Sequence, residues 1–244
     1  MELVDAPAPC ASCNGSGWVP LTVGSLHARP CGCQGDLRRR QRFSAASIPR
    51  RYFPHCTLAN FHERGNPELI SARRRVTEFA NCWPLTTDDR GLLLQGSCGV
   101  GKTHLAVGVL QEIIESDKSG RLLFSNFQEL IHEIQASFDA DAAVSKSEIL
   151  EPLLQADLLV LDELGSQKPT TFVQDILYYI INSRYNDQRV TIFTTNYFDP
   201  PTERGEECLS DRIGQRLRSR LFEMTEPVVI RKTADYRNRS TKTI

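Results

Sequence analysis

From about residue 85 onward, apolar and polar positions alternate between the spacing of strands and the spacing of helices. Short apolar runs predict five β-strands, at Leu92–Gln95, Leu122–Ser125, Leu158–Leu161, Val190–Thr194 and Val228–Ile230. Apolar residues three and four apart predict helices between them, at His104–Glu115, Phe127–Phe138, Lys146–Leu154 and Phe172–Tyr185. This order predicts an α/β fold in which helices cover both faces of a parallel five-stranded sheet.

The first third of the chain follows a different pattern. Residues 1–37 are rich in cysteine and glycine and poor in apolar residues, which indicates a small separate module. Residues 38–84 are predicted to form a helical linker, with helical spacing at 68–80 and with prolines that break helix in and after the box Ile48–Tyr52. The sequence thus predicts three parts, at residues 1–37, 38–84 and 85–244.

The loop after the first predicted strand has the chemistry of a phosphate-binding loop. It fits the pattern G-x-x-x-x-G-K-[ST] at every fixed position, with the residues Gly96, Ser97, Cys98, Gly99, Val100, Gly101, Lys102 and Thr103. Glycines let successive backbone N–H groups face one anion, and the helix that follows adds its positive end. Lys102 would reach the β- and γ-phosphates of ATP, and the Thr103 hydroxyl would hold Mg²⁺. The alternative is a chance glycine-rich turn before a helix.

Two later strands end in polar residues that suit hydrolysis of a bound nucleotide. Asp162 is placed to act on Mg²⁺, directly or through water, and Glu163 to polarise the attacking water. Asn196 ends a strand that would lie beside Asp162, where an amide can orient water without adding charge. The alternatives are an acidic loop at the first strand end and ordinary turn chemistry at the second.

Composition narrows the class of protein. The chain is 40% hydrophobic and 24% charged with a net charge of −1, which is ordinary for a globular domain. No apolar run approaches the length of a membrane span, and the first residues lack the pattern of a signal peptide. We therefore expect a cytoplasmic protein with no membrane partner, whose eight cysteines are thiols or metal ligands.

Four of the cysteines have the number and spacing of metal ligands. Cys10 and Cys13 form a C-x₂-C pair, and Cys31 and Cys33 form a C-x-C pair. Four thiolates suit tetrahedral Zn²⁺, and the metal would supply folding energy to a segment with few apolar residues. His27 could replace one cysteine as a ligand. The alternative is an unstructured segment that carries thiols.

Arginines recur near the C-terminus at helical spacing. Arg212, Arg216 and Arg220 follow at i, i+4 and i+8, which predicts one basic face along a single helix. Such a face is either solvated or supplies an arginine to the nucleotide site of a neighbouring subunit.

Taken together, the motifs resemble those of the DnaC/DnaI bacterial helicase loaders. These are AAA+ ATPases related to the replication initiator DnaA and to the IstB transposition ATPases. The resemblance covers roughly residues 45–235 and rests on Gly96–Leu105, Leu161–Gly165, Ile180–Tyr185, Thr194–Tyr197 and Arg212–Leu221. The box Ile48–Tyr52 is also similar to that of the loaders.

The resemblance implies a role for each matching residue. Lys102 and Thr103 match the Walker A pair, Asp162 and Glu163 match Walker B, and Asn196 matches sensor 1. Arg220 matches the arginine finger, with Arg216 as a second candidate. Residues 127–155 match the insert that lines single-stranded DNA in the initiator-like branch. Only residues 221–244 follow Arg220 in this chain, too few for a helical lid domain.

Three functions are compatible with these features. The first is an ATPase that loads a hexameric, DnaB-like replicative helicase onto single-stranded DNA, assembling with ATP into a homo-oligomeric spiral or ring. The second is an IstB-type transposition ATPase that acts on duplex DNA with a transposase. The third is a nucleotide-switched adaptor without catalytic function, against which Glu163 and Asn196 argue.

Overall fold

In the computed structural model, the chain forms two compact units, Met1–Ser44 and Ala45–Ile244. The structure describes residues 10–21, 27–85, 90–139, 143–201 and 205–231. The first residues, where the sequence predicts no signal peptide, lie outside these ranges. No helix within them is both long and apolar enough to cross a bilayer.

The smaller unit is built around a short hairpin. Strand β1 (Trp18–Pro20) pairs antiparallel with β2 (Ala28–Pro30), and helix α1 (Gly32–Ala45) follows. Cys13 and Cys31 are its buried thiols among the described residues. The hairpin therefore brings together two pairs of cysteines that are far apart in sequence.

The larger unit is an α/β layer structure. Its strands are β3 (Gly91–Gly96), β4 (Leu122–Asn126), β5 (Leu158–Asp162), β6 (Val190–Thr195) and β7 (Thr225–Ile230). Its helices are α2 (Pro67–Cys82), α3 (Lys102–Glu115), α4 (Phe127–Ala136), α5 (Lys146–Gln155), α6 (Thr171–Asn186), α7 (Leu209–Ile213) and α8 (Gln215–Met224). The predicted order of strands and helices is confirmed.

All five strands of the larger unit are parallel, in the order β4-β5-β6-β3-β7. Leu92–Leu94 of β3 and Leu158–Leu161 of β5 are continuous apolar runs with no accessible surface, as a sheet with helices on both sides requires. The carboxyl ends of β3, β5 and β6 therefore meet at one edge of the sheet. The phosphate loop, Asp162 and Asn196 all follow these ends, so the topology gathers the candidate site there.

Helix α2 belongs to the larger unit and is not a linker in the described structure. Asn66 caps its first turn by accepting hydrogen bonds from two backbone N–H groups, and Pro67 occupies the position where a missing N–H costs nothing. Its apolar stripe packs against α3 and β7 and buries Leu69, Ala72, Val76, Phe79 and Ala80. The part of the chain from residue 38 to Ala45 lies in α1, which crosses the predicted boundary at residue 37.

The predicted single basic helix near the C-terminus is wrong. Gly214, at a φ of 83°, separates α7 from α8, so Arg212 lies on a different helix from Arg216 and Arg220. A glycine in this backbone conformation ends a helix readily. Strand β7 also begins three residues earlier than its apolar run, because Thr225, Glu226 and Pro227 pair with β3 at the edge of the sheet. Residues 232–244, where the sequence predicts no helical lid, lie outside the described residues.

Candidate nucleotide-binding site

The loop from β3 to α3 adopts a conformation that only glycine accommodates at two points. Gly99 and Gly101 have φ values of 76° and 98°. A Cβ at Gly101 would lie 2.7 Å from the Phe61 ring, and one at Gly96 would lie 2.8 Å from the Ile230 carbonyl oxygen. No side chain caps the first turn of α3. Its backbone N–H groups are therefore left to an anion in the loop, which is the geometry expected of a phosphate cradle.

The Lys102 side chain spans the floor of this loop. Its Nζ donates to the carbonyl oxygens of Gly96 and Ser97, each at 2.8 Å, and to Oδ1 of Asn196 at 2.7 Å. Lys102 and Asn196 are 94 positions apart in sequence, and they meet because β6 lies directly beside β3. The prediction that the strand before Asn196 lies beside the strand of Asp162 is confirmed, since β6 pairs with β5.

Asp162 is the buried acidic centre of the site. Its Oδ1 accepts hydrogen bonds from the hydroxyls of Thr103 at 2.9 Å and Thr194 at 2.6 Å, while its Oδ2 is buried without a partner in the described structure. Burial raises the pKa of Asp162, and the two hydroxyls oppose that shift. A carboxylate with one unmatched oxygen beside a threonine hydroxyl fits Mg²⁺, which prefers oxygen ligands. Thr103 and Asp162 are thus the residues that would hold it.

Glu163 faces the same cavity from a strained backbone. Its φ is 61°, its N–H donates to the Thr194 hydroxyl at 3.0 Å, and its Oε2 accepts from Nδ2 of Asn126 at 3.0 Å. Asn126 was missed in the sequence, although it ends β4 and Asn196 directly follows β6. Its register partner in the sheet is Asp162, which places it beside Glu163. Strain at such a position is commonly found at functional sites.

One wall of the cavity comes from a segment that sequence reasoning did not assign to the site. The cavity has a volume of about 610 Å³ and contains Lys102, Thr103, Glu163 and Asn196 in its lining. The added wall consists of Tyr52, His55, Cys56, Asn60, Phe61, His62, Arg64, Asn66 and Leu69. The aromatic residues in this otherwise polar segment were the sequence feature that could have indicated its place in the site.

Helix α3 holds that wall in place. His104 contacts the Thr57 carbonyl oxygen at 2.8 Å and the edge of the Phe61 ring, with ring centroids 5.4 Å apart. Burial lowers the pKa of His104, which favours the neutral ring. Leu58 also packs at Gly108, where a Cβ would lie 2.7 Å from a Leu58 methyl group. These contacts make the wall part of the larger unit.

The structure does not bring the predicted arginines into this cavity. Arg212 is held by the backbone carbonyls of Gly165 and Gln167, each at 2.9 Å, and lies over the Tyr197 ring. Arg216 is exposed and Arg220 packs on α6. Among the described residues, none of α8 lines the cavity. Arg220 therefore does not line the described nucleotide cavity of its own chain.

The four predicted metal ligands meet in the smaller unit. The Sγ atoms of Cys10, Cys13, Cys31 and Cys33 all lie within 4.8 Å of one another. His27 does not belong to the group of candidate ligands that the described residues form. Hydrogen bonds from the backbone at Ser12 and Cys13 lower the pKa of the Cys10 thiol to about 7, whereas hydrogen bonds with Cys13 and Cys31 raise the pKa of the Cys33 thiol to about 12. Four converging thiols fit Zn²⁺.

Comparisons with known proteins agree with this architecture. The family described as "IstB-like ATP binding protein" matches residues 34–242. The replicative helicase loader DnaC of Buchnera aphidicola subsp. Baizongia pistaciae is 25% identical over 175 residues, which cover 71% of this chain and 68% of that protein. The replicative helicase loader DnaI of Bacillus subtilis is also 25% identical, over 67% of this chain and 53% of its own length.

A solved structure of a DnaC helicase loader is similar in both sequence and fold. It has a TM-score of 0.62 and 31% identity, and the alignment covers 75% of this chain and 99% of that one. The resemblance to DnaC/DnaI helicase loaders and the expected AAA+ fold are confirmed. The chain belongs to the IstB-like ATP binding protein family.

Proposed function

We propose that this protein binds ATP with Mg²⁺ and hydrolyses it. The observation that carries the proposal is the convergence of Lys102, Glu163 and Asn196 on one cavity from three strand ends, with Asp162 buried behind it and bonded to the lining residue Thr103. Lys102 and the loop N–H groups bind the phosphates. Thr103 and Asp162 would hold Mg²⁺, which would neutralise charge on the phosphate oxygens. Glu163 orients and polarises the attacking water, and Asn196 positions it. Phosphoryl transfer needs such positioning and charge stabilisation more than covalent chemistry.

We further propose that hydrolysis drives the loading of a hexameric, DnaB-like replicative helicase onto single-stranded DNA. The relatives named as replicative helicase loaders support this role. Subunits would assemble with ATP into a spiral or ring in which Arg220 of one subunit serves the nucleotide of the next. The absence of α8 from the described lining of its own cavity agrees with a site shared between subunits.

The insert at residues 127–155 offers an aromatic contact to DNA more than a basic one. Exposed positions of α4 include Glu129 and Glu133, which would repel phosphates, whereas Phe138 is 62% exposed. An exposed aromatic ring can stack on a base of any identity. Contact of single-stranded DNA with this insert would therefore depend mainly on stacking, with Lys146 as an exposed basic side chain for the phosphates.

The cysteine cluster would hold one Zn²⁺ and stabilise the smaller unit. We propose that this unit binds the protein partner.

The second candidate function is transposition on duplex DNA with a transposase, as in the IstB type. The matching family is described as IstB-like, and this description supports transposition as the second candidate function. A catalytically silent adaptor is disfavoured by Glu163 and Asn196, which an adaptor does not need.

A loading assay separates these candidates. The full chain, ATP and the hexameric helicase of the same host are mixed with circular single-stranded DNA, and helicase bound to the circle is measured after gel filtration. We expect ATP-dependent transfer of the helicase and turnover stimulated by single strands. The matched control is Glu163→Gln, which should retain ATP and lose turnover. Stimulation by duplex DNA alone, with no bound helicase, would support the transposition function instead.

A further inference from the structure

Arg220 is held against two tyrosines of the neighbouring helix. Its guanidinium carbon lies 5.1 Å from the centroid of the Tyr178 ring and 5.8 Å from that of Tyr185, both on α6. Tyr185 is itself fixed, because its hydroxyl donates to Oε1 of Glu223 at 2.8 Å. The Arg220 side chain is therefore oriented on the surface formed by α6 and α8.

The charge environment of Arg220 differs from that of the arginines around it. Arg218 pairs with Asp199 at 2.8 Å, and Arg212 pairs with Glu207 at 3.1 Å. Across the described part of the chain, no carboxylate oxygen lies within 4.0 Å of Arg220, and its buried Nη1 has no hydrogen-bond acceptor. A ring face attracts a guanidinium without supplying an acceptor or a formal negative charge. The Tyr178 hydroxyl also shares a hydrogen bond with Arg220, but it carries no formal charge. Arg220 thus keeps its charge and its buried Nη1 for another anion.

We propose that Tyr178, supported by Tyr185, is a positioning residue that presents Arg220 to the phosphates of ATP bound in a second copy of this chain. This inference rests on the proposed ATPase function and deepens it. A long arginine side chain loses many rotamers when it meets a phosphate, and ordering it beforehand lowers that entropic cost. Tyr178 and Tyr185, here called the tyrosine clamp, would therefore speed hydrolysis at the neighbouring site without contacting the nucleotide themselves.

The experiment compares four variants in the full chain, each assembled with ATP on single-stranded DNA. Tyr178→Ala should lower kcat about 10-fold with little change in ATP affinity, since the lost cation–π contact acts only through Arg220. Tyr178→Phe keeps the ring and should stay within about 2-fold of the wild type. Tyr179→Ala is the matched control, because Tyr179 is 49% exposed and makes no ring contact with Arg220 in the described structure. Arg220→Ala shows how far kcat falls when the arginine itself is lost.

Mixing subunits distinguishes positioning from damage to the fold. Tyr178→Ala supplies an intact phosphate loop and Lys102→Ala supplies an intact clamp, so their mixture should recover part of the activity. A drop in kcat for Arg220→Ala without one for Tyr178→Ala would overturn the clamp and leave the proposed ATPase intact. An equal drop for Tyr179→Ala, or no recovery on mixing, would also overturn it. Normal kcat in Arg220→Ala would remove both the shared site and the clamp.

Discussion

The amide of Asn126 donates a hydrogen bond to the carboxylate of Glu163, with 3.0 Å between Nδ2 and Oε2. The same side chain caps α4, since its Oδ1 accepts from the backbone N–H groups of Gln128 and Glu129. One residue thus connects the carboxylate proposed to activate water with the first turn of the insert proposed to meet DNA. The bond occupies one of the two carboxylate oxygens that Glu163 could offer to water.

We expect Asn126→Ser to raise ATP turnover in the absence of DNA. Serine is also a good helix cap but is too short to reach Glu163, so the carboxylate is released while α4 is retained. The rise should be about 2- to 10-fold, the range covered by one ordinary hydrogen bond. Steady-state hydrolysis without DNA measures it. Asn126→Ala is the control that also loses the cap, and unchanged turnover in both variants would show that the bond does not restrain Glu163.

Lys102→Ala and Glu163→Gln should separate binding from turnover. Lys102→Ala removes the cation that faces the phosphates, and the Kd for ATP should rise at least about 10-fold. Glu163→Gln keeps the size of the side chain but cannot polarise water, so kcat should fall about 100-fold or more at unchanged Kd. Fluorescent-nucleotide binding and single-turnover hydrolysis measure the two effects. Equal affinity in Lys102→Ala and the wild type would contradict the phosphate-loop assignment.

The cysteine cluster should hold about one zinc ion per chain. Metal analysis of protein purified without added zinc measures the content, and Cys10→Ser should lower it strongly and loosen the smaller unit. The control is Cys82→Ser, because Cys82 is exposed and lies outside the cluster. Nucleotide binding should survive in both variants. Less than about 0.2 zinc per chain in the wild type would argue for a thiol-bearing segment without metal.

Arg220→Ala should bind ATP almost normally and hydrolyse it slowly. A guanidinium that stabilises charge on the γ-phosphate of a neighbour can be worth about 10³-fold in rate. Mixed with Lys102→Ala, the variant should regain part of the activity, because some interfaces then pair an intact loop with an intact arginine. Activity that never recovers in any mixture would place the action of Arg220 within its own chain.

Arg184 should be a large contributor to stability. It is 1% exposed and donates to the carbonyl oxygens of Leu153, Ala156 and Val190 and to the Thr191 hydroxyl. Arg184→Met leaves those buried acceptors without donors and should reduce the free energy of unfolding by about 3 kcal/mol or more.

Urea denaturation monitored by circular dichroism measures the change in Arg184→Met. The control is Arg189→Met, which breaks a partly exposed pair with Asp157 and should cost about 1 kcal/mol or less. An equal reduction of the free energy of unfolding in the two variants would show that the buried Arg184 guanidinium contributes no more to stability than the exposed pair does.

Local patterns in the chain were sufficient to predict the sheet and the phosphate loop. Gly96–Thr103 is contiguous, and its conformation follows from glycine and from the strand and helix that flank it. The central strands were predictable because burial on both faces demands continuous apolar runs. The Cys10–Cys13 and Cys31–Cys33 pairs likewise carry their chemistry in their spacing, and the hairpin only brings them together.

The tertiary structure alone decided which distant residues meet. Asn126 reaches Glu163 because β4 pairs with β5, and strand order is set by the packing of the whole sheet. The wall from Tyr52 to Leu69 joins the site because α2 and the segment before it pack on α3. Periodicity also predicted one basic helix across Gly214, whereas a single left-handed residue splits it and turns Arg212 and Arg220 to different surroundings. Periodicity records which faces are apolar, but contacts between distant segments depend on the free energy of the complete fold.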